Sequence, residues 1–307
     1  MSLVGRAAKN AYLAVLRTGQ RCGFDLLPRH FYSSIPDINQ LRERHDWRKP
    51  RSMVGVPGKE IETQLTFVAE CCPPPLRERL RCKDIFDYAC RENKVVGFGA
   101  TEADFLFCFM ASKRPRRVVQ VGAGVSTAVM LLAARESGHH AEFACIDPYP
   151  TAFLQRASAA AEIKLIPQPA QQVDITTLTD LESGDLLFID STHAVRVGSE
   201  VNLLVLEVLP RLKPGVWVHF HDIYFPYDYH RSVFTEPFFP SESTLLHAFL
   251  ACNSRFALRA SLSMLHYAAP KALSELLPNY APTQNNDGLD VPHSTGHFPS
   301  SAYLQAV

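Results

Sequence analysis

The feature that most constrains the fold is a regular alternation of short apolar runs with helical stretches between residues 101 and 223. The runs are rich in β-branched and aromatic residues, which is typical of buried strands. The predicted strands are 117–121, 141–146, 163–166, 186–189 and 216–220. Because strands that alternate with helices pair in parallel, the pattern predicts a doubly wound α/β sheet, which binds ligands at the carboxyl ends of its strands.

Helices are predicted within this core at 101–112, 126–137 and 199–212. Thr101 is placed to cap the first of them, and Gly138 stands where a glycine commonly ends a helix. Outside the core, the predicted helices are 3–17, 59–70, 76–92 and 243–251.

Two β-like runs near the end of the chain, 256–265 and 302–307, are expected to form an antiparallel hairpin. The hairpin would complete a mostly parallel, Rossmann-like sheet of about seven strands. Residues 1–93 are predicted to be a helical N-terminal extension or lid, and residues 94–307 the α/β domain. Within that domain the core would be 94–223, and the remainder would form a cover and the hairpin.

Composition excludes several classes of protein. The 31 basic side chains balance the 31 acidic ones, so no net positive field is available to hold nucleic acid. No apolar run approaches the ~18 residues of a membrane span. The eight cysteines lack zinc spacing and are typical of a reducing cytoplasm. The basic start of the chain is interpreted as an ordinary amphipathic helix rather than a transit peptide or a membrane-surface helix. The sequence leaves open whether the protein forms a homo-oligomer.

A glycine-containing turn follows the first predicted strand. Gly122 and Gly124 join this strand to a helix, so backbone N–H groups at the helix start face a ligand. Asp147 ends the second strand, 23 residues after Gly124, close to the ~20 expected for an acid that binds ribose hydroxyls. A plain turn and a helix cap are the structural alternatives. Together the two features favour an adenosine-containing ligand, and the missing third glycine of the fingerprint disfavours NAD.

Polar side chains also follow the fourth and fifth predicted strands. Asp190 and His193 come after one strand, and His221 and Asp222 after the next. Because adjacent parallel strands end at the same edge, these four residues are expected to meet in one small volume. Asp190, His221 and Asp222 suit Mg²⁺, Mn²⁺ or Fe²⁺, and His193 would remain a general base. His219 shares a face with His221, but the strand end favours His221.

These residues lie in segments that resemble a known family. Residues 119–127 (VQVGAGVST) resemble motif I of class I S-adenosylmethionine-dependent methyltransferases, and 184–193 and 209–223 continue the resemblance. Together with 97–103 they are similar to a bacterial group often called the type 24 methyltransferase family. The resemblance covers about 95–230.

The resemblance implies S-adenosyl-L-methionine as cofactor. Gly122, Gly124 and Ser126 would line its methionine and ribose part, and Asp147 would hold the ribose hydroxyls. Gln172 occupies the position of the adenine contact, where the family often has an acid.

The two strand ends are also similar to those of metal-dependent O-methyltransferases of the catechol type. Asp190, His221 and Asp222 occupy the metal-ligand positions, with Asp190 also bordering the cofactor, and His193 occupies that of the base. His221 stands where an acid is usual. The resemblance therefore implies methylation of a hydroxyl on a small molecule or sugar, assisted by Mg²⁺ or another divalent ion.

Three other functions remain open from the sequence. His193, His221 and Asp222 could form the two-histidine, one-carboxylate site of a nonheme-iron oxygenase on a methyltransferase-like fold. A non-catalytic binding protein of the same fold is favoured by Gln120, which replaces the usual acid of motif I, and by Gln172. A nicotinamide-dependent dehydrogenase is the weakest alternative.

Overall fold

The computed structural model describes residues 3–27, 29, 31, 33–230, 233–234, 238–281 and 299–307. The chain separates into two compact units, Met1–Trp47 and Arg48–Val307. In the first unit, helix α1 spans Leu3–Arg21 and α2 spans Ile38–Glu43, and Asp37 caps α2 by accepting two backbone N–H hydrogen bonds. Among the described residues, no helix combines the length and the apolar character that crossing a membrane requires.

A seven-stranded sheet forms the centre of the second unit. Its strands are β1 Arg117–Val121, β2 Glu142–Ile146, β3 Lys164–Ile166, β4 Leu186–Ile189, β5 Trp217–Phe220, β6 Phe256–Ser261 and β7 Ala302–Ala306. The strand order is β3-β2-β1-β4-β5-β7-β6. The first five strands are parallel, and β7 pairs antiparallel with both β5 and β6. The predicted fold class, including the antiparallel end of the sheet, is confirmed.

Helices cover both faces of this sheet. They are α3 Ile61–Cys71, α4 Pro74–Leu80, α5 Ile85–Asn93, α6 Ala100–Lys113, α7 Val125–Glu136, α8 Ala152–Ala159, α9 Ile175–Thr179, α10 Glu200–Leu203, α11 Glu242–Leu250, α12 Leu262–Ala268 and α13 Pro270–Leu276. Alternate residues of β1 enter different cores, because side chains along a strand point to opposite faces. Val118 packs in the cluster that includes Phe105 of α6, and Val119 in the cluster that includes Leu204.

Several of the predicted helices have different limits in the structure. Thr101 does not cap α6: it is buried inside the helix, because the chain enters the helix earlier, with Gly99 at the N-cap position. The predicted helix 76–92 is two helices, α4 and α5. They are separated by a turn in which Lys83 has a φ of +55°, a left-handed conformation that an α-helix does not contain.

The predicted run 256–265 is a strand only in its first part. β6 ends at Ser261, whose hydroxyl accepts a hydrogen bond from the N–H of Met264 and so caps α12. The predicted helix 199–212 begins as α10 and continues through a π-turn at Leu204–Val208 and a 3-10 turn at Leu209–Arg211. The predicted boundary of the extension, at 93/94, and the role of residues 1–93 as a lid remain predictions.

The Asp104→Asn substitution is expected to stabilise the protein at alkaline pH. Burial raises the pKa of Asp104 on α6 to about 7, although Asn279 donates a hydrogen bond to its carboxylate. Because this pKa lies above the ordinary value of 3.8, the folded protein keeps a proton that the unfolded chain releases. Stability therefore falls as the pH rises from about 4 to about 7, at about 1.4 kcal/mol per pKa unit.

Urea unfolding of both proteins at pH 5 and pH 8 measures this effect. Asparagine carries no charge, and its amide can donate to Oδ1 of Asn279, a buried atom that has no hydrogen-bond partner among the described residues. We expect a gain of about 2 kcal/mol or more in the free energy of unfolding at pH 8 and a much smaller gain at pH 5. Equal gains at the two pH values would show that the charge of Asp104 is not the cause.

Candidate functional site

The glycine turn after β1 is packed directly against the end of β4. Gly122 has a φ of +77° and donates its N–H to the carbonyl of Ile146, at 3.0 Å. A Cβ on Gly122 would lie 1.7 Å from the carbonyl oxygen of Asp190, so only glycine allows this approach. The glycine turn and Asp190, the first residue after β4, are therefore in direct backbone contact.

Gln120 holds the turn from inside. Its side chain is buried, donates to the hydroxyl of Ser126 at 2.8 Å and accepts from the hydroxyl of Thr127 at 2.8 Å. The hydroxyl of Thr127 in turn accepts from the N–H of Gly124, at 3.0 Å. The residue that replaces the usual acid of motif I thus connects β1 to the start of α7, and the hydroxyl of the buried Ser126 takes part in this connection.

Asp147 connects the next strand end to the same turn. Its carboxylate accepts from the N–H of Ala123, at 3.1 Å, and from the N–H of Tyr149, at 2.8 Å. The side chain is half-buried, and each oxygen retains a second lone pair for a ligand hydroxyl. The turn at Ala170–Gln172 leaves Gln172 exposed, whereas Gln171 donates to the carbonyl of Gly198.

Asn93, at the end of α5, was not found by sequence reasoning. Its buried amide accepts from the hydroxyl of Thr151 at 2.9 Å and donates to the carbonyl of Val95 at 2.8 Å. A Cβ on Gly124 would lie 3.1 Å from its Nδ2. Asn93 therefore lies over the glycine turn, and no local motif marks it.

The four polar residues predicted at the ends of β4 and β5 meet in one cluster. Ile189 pairs with Phe220, which places the following residues, Asp190 and His221, side by side. Oδ1 of Asp190 lies 3.3 Å from Nδ1 of His221 and 3.5 Å from Nε2 of His193. Ligand atoms of these three residues all lie within 4.8 Å of one another, a grouping that could hold a metal ion.

Asp222 borders this group. Its Oδ2 lies 3.6 Å from Nε2 of His193 and 3.7 Å from Nδ1 of His221, and its Oδ1 accepts a hydrogen bond from Ser300 at 2.8 Å. The side chain of Asp222 is 31% exposed, against 22% for Asp190 and 8% or less for the two histidines. Asp222 is therefore the member of the cluster that is most open to solvent.

Two fully buried glutamates stand behind the histidines. Oε2 of Glu242, on α11, lies 2.8 Å from Nδ1 of His193, and Oε1 of Glu102, on α6, lies 3.2 Å from Nε2 of His221. Glu102 also accepts from the N–H of Ser300, at 2.8 Å. Sequence reasoning missed both roles. Glu102 lies in the segment 97–103 that carries part of the family resemblance, whereas nothing local marks Glu242.

The cluster stabilises positive charge at its centre. Burial lowers the pKa of His193, but hydrogen bonds with Asp190 and Glu242 outweigh burial and raise it to about 10. Burial acts in the same way on His221, yet the charges of Asp190, Asp222 and Glu102 hold its pKa well above the ordinary value. In return, the two histidines hold the pKa of Asp190 well below its usual range despite burial.

His219 belongs to the core of the protein. It stacks on Phe188 with a centroid distance of 4.1 Å, and its Nε2 lies 3.0 Å from the hydroxyl of Ser301. Burial lowers its pKa to about 3, so this ring is neutral at physiological pH. Of the two histidines on this strand, only His221 lies in the cluster.

This part of the chain is similar to known sequences. Residues 119–223, which contain the glycine turn and all four clustered side chains, match a family model described as "Methyltransferase domain". An uncharacterized protein of Archaeoglobus fulgidus is 29% identical over 172 residues, which are 50% of this chain and 73% of that protein.

Three solved structures are similar at low identity. A putative O-methyltransferase from Klebsiella pneumoniae is 15% identical with a TM-score of 0.41, over 76% of this chain and 90% of that chain. The Bacillus cereus O-methyltransferase in complex with SAH is 11% identical with a TM-score of 0.41, over 81% and 100%. The SAH-bound methyltransferase of Podospora anserina is 14% identical with a TM-score of 0.40, over 76% and 88%. At TM-scores this low, these likenesses assign no activity to this chain.

Proposed function

We propose that this protein, whose residues 119–223 match a family model described as "Methyltransferase domain", uses S-adenosylmethionine to methylate a hydroxyl oxygen of a small molecule or sugar with the help of a divalent metal. The observation that carries the proposal is the contact between the two halves of the site. The glycine turn that suits the cofactor packs on the backbone of Asp190, which belongs to the charged cluster. A methyl donor at the turn and an acceptor at the cluster would thus lie next to each other.

The cofactor half of the proposal rests on the glycine turn and Asp147. The N–H groups of the first turn of α7 would face the methionine carboxylate beside the glycine turn, whose own N–H groups already donate to Ile146, Asp147 and Thr127. Asp147, already fixed by two backbone N–H groups, would accept from the ribose hydroxyls. Gln172, exposed on its turn, would contact the adenine.

The geometry of the cluster supports the metal half of the proposal. The ring nitrogens of His221 are buried and make no hydrogen bond among the described residues, although Asp190 and Glu102 lie 3.3 and 3.2 Å away. A buried ring that lies this close to two carboxylates without a hydrogen bond to either one keeps a nitrogen lone pair for a cation that the carboxylates would share. Asp190 and His221 would hold the ion, which when bound would lower the pKa of an acceptor hydroxyl.

Methyl transfer itself requires alignment and a place for one proton. A lone pair of the acceptor oxygen forms the new bond to the methyl carbon, and the carbon–sulfur bond breaks with its electron pair left on sulfur. The products are a methyl ether and S-adenosylhomocysteine. The hydroxyl proton leaves to a side chain of the cluster, where His193 and Asp222 are the two candidates. Cluster residues fix the position of the acceptor, so most of the rate gain comes from positioning and electrostatics.

The Asp147→Asn substitution tests the cofactor half. Titration calorimetry of the metal-stripped protein should give an affinity on the order of micromolar for S-adenosylmethionine and none for NAD. Charge-assisted hydrogen bonds to ribose contribute about 1.5–3 kcal/mol, so we expect Asp147→Asn to weaken cofactor binding by at least about tenfold.

Asp185→Asn is the matched control for that titration. Asp185 also accepts two backbone N–H hydrogen bonds, from Arg117 at 3.0 Å and from Glu182 at 2.9 Å, but it lies at the opposite end of the sheet. Cofactor affinity should be unchanged in this variant. Equal losses in both variants, or no binding of the cofactor by the folded wild-type protein, would contradict the proposal.

A nonheme-iron oxygenase is the second candidate. The grouping of two histidines with one carboxylate is the composition that such enzymes use for Fe²⁺. This reading predicts oxygen consumption by the iron-loaded protein and leaves the glycine turn and Asp147 without a role. Oxygen uptake without methyl transfer would favour it. Cofactor binding with neither reaction would favour a non-catalytic binding protein.

A further inference from the structure

We infer that Asp190, His193 and His221 form the ligand set of a transition-metal ion that prefers nitrogen ligands, such as Zn²⁺ or Fe²⁺, and that Asp222 stays outside this set. The sequence suggested a different assignment of roles, with Asp222 as the third metal ligand and His193 as the base. The inference rests on the proposed function in taking this cluster as the metal centre of a methyltransferase.

The first support is the geometry around Asp190. One oxygen of its carboxylate, Oδ1, faces a nitrogen of each histidine, at 3.3 Å for His221 and 3.5 Å for His193. Ligand atoms that bind an ion tetrahedrally at 2.0–2.1 Å are about 3.3–3.4 Å apart, whereas neighbouring ligands of octahedral Mg²⁺ are about 3.0 Å apart. The two separations from Oδ1 of Asp190 are therefore close to those of a tetrahedral set, and all three ligand atoms lie within 4.8 Å of one another. Asp222 lies farther than Asp190 from both nitrogens.

The second support is the orientation of the two rings. Each histidine presents one nitrogen to a fully buried glutamate, His193 to Glu242 and His221 to Glu102, and its other nitrogen to Asp190. A carboxylate behind a histidine fixes the ring and its tautomer, and this arrangement accompanies most metal-binding histidines. A lone general base would need one such partner. Here each histidine has a buried glutamate on one side and Oδ1 of Asp190 on the other, with a hydrogen bond between His193 and Glu242 and a 3.2 Å approach without a hydrogen bond between His221 and Glu102.

The third support is the chemistry of the donor atoms. Mg²⁺ prefers an all-oxygen environment and keeps several waters, whereas imidazole suits zinc, iron and their neighbours. Two imidazoles with one carboxylate therefore favour a transition metal. With His193 in the ligand set, Asp222 is the carboxylate that remains to receive the proton of the acceptor. Its hydrogen bond from Ser300 and its partial exposure suit that position.

Metal titration of the stripped, full-length protein tests the inference. Calorimetry with Zn²⁺, Co²⁺ and Mg²⁺ should show one equivalent of Zn²⁺ or Co²⁺ bound at least about 100-fold more tightly than Mg²⁺. His193→Ala should lower Co²⁺ affinity by a similar factor, and the visible absorption of bound Co²⁺ should change. Glu242→Gln and Glu102→Gln should lower affinity by about 10–100-fold, because they remove the groups that orient the ligands.

Two further variants serve as comparisons. Asp222→Asn should keep metal affinity within about threefold of wild type and lower kcat. Asp104→Asn removes another buried carboxylate of the same helix, α6, which pairs with Asn279 instead of a histidine, and it should not change metal affinity. If circular dichroism shows that a glutamate variant does not fold, the metal preference of the wild-type protein and the metal affinity of His193→Ala still test the inference.

Two outcomes would overturn the inference: Mg²⁺ binding as tightly as Co²⁺, or His193→Ala retaining Co²⁺ affinity while Asp222→Asn loses it. Both leave the proposed function intact if cofactor binding and methyl transfer persist. Failure of the proposed function would give a different result: the protein would bind the transition metal but not S-adenosylmethionine.

Discussion

The Gly122→Ala substitution is expected to lower the free energy of unfolding by about 3 kcal/mol or more and to abolish binding of S-adenosylmethionine. The left-handed φ of +77° costs an alanine about 1–2 kcal/mol. The added Cβ would also lie 1.7 Å from the carbonyl oxygen and 2.8 Å from the carbonyl carbon of Asp190. Both atoms belong to backbone, so no side-chain rotation relieves the overlap. Either the turn or the end of β4 must move.

Movement there affects the whole site. The N–H of Gly122 bonds to Ile146 of β2, and the N–H of Asp190 bonds to Val121 of β1, at 2.9 Å. Displacing either residue breaks a hydrogen bond at the end of the sheet and shifts the carboxylate of Asp190. Loss of such a bond with its partner left buried adds about 1–3 kcal/mol to the destabilisation.

Gly138→Ala is the matched control for Gly122→Ala. Gly122 precedes α7 and Gly138 follows it. Gly138 also has a left-handed φ, of +60°, but a Cβ on Gly138 would meet nothing within 4 Å. This variant should lose only the conformational part, about 1 kcal/mol, and should bind the cofactor normally. Urea unfolding and calorimetry measure both properties. Losses of the same size in the two variants would show that the close approach to Asp190 is not required.

Replacing Asp190 with asparagine is expected to reduce kcat/KM for methyl transfer by about 10³-fold or more. Its Oδ1 is the oxygen that faces both histidines, so the variant loses the carboxylate around which the cluster is arranged. A metal ion contributes several kcal/mol of transition-state stabilisation, and each ~1.4 kcal/mol corresponds to a factor of ten in rate. The loss in rate should exceed the loss in cofactor affinity.

Histidine titration provides an independent measure of the Asp190→Asn variant. A negative charge stabilises imidazolium, so removing it should lower the pKa of His193 and His221 in the metal-free protein. NMR titration should detect this fall. Asp185→Asn, just before the start of the same strand, should change neither these pKa values nor the rate. A rate within tenfold of wild type in Asp190→Asn, with metal still bound, would contradict the assignment.

The strands were predictable because each is a short, mainly apolar run. All five parallel strands lie within one residue of their predicted ends, since a strand buried on both faces is mostly apolar. The helix limits were less accurate. Ser261 begins a helix where apolar residues continue, and Thr101 lies within a helix that it was expected to cap. The starts of these two helices depend on where the backbone turns, and the residue types alone do not determine that point.

Residue patterns alone were enough to predict a parallel sheet and to place Asp190, His193, His221 and Asp222 together at its carboxyl edge. Such a conclusion needs only local patterns, because parallel strands end at a common edge. Only the tertiary structure placed Glu102 and Glu242 behind the histidines and Asn93 over the glycine turn. These residues belong to helices far from the cluster in sequence, and their positions depend on how the helices pack. Packing is decided by shape and burial over the whole domain, which no local pattern records.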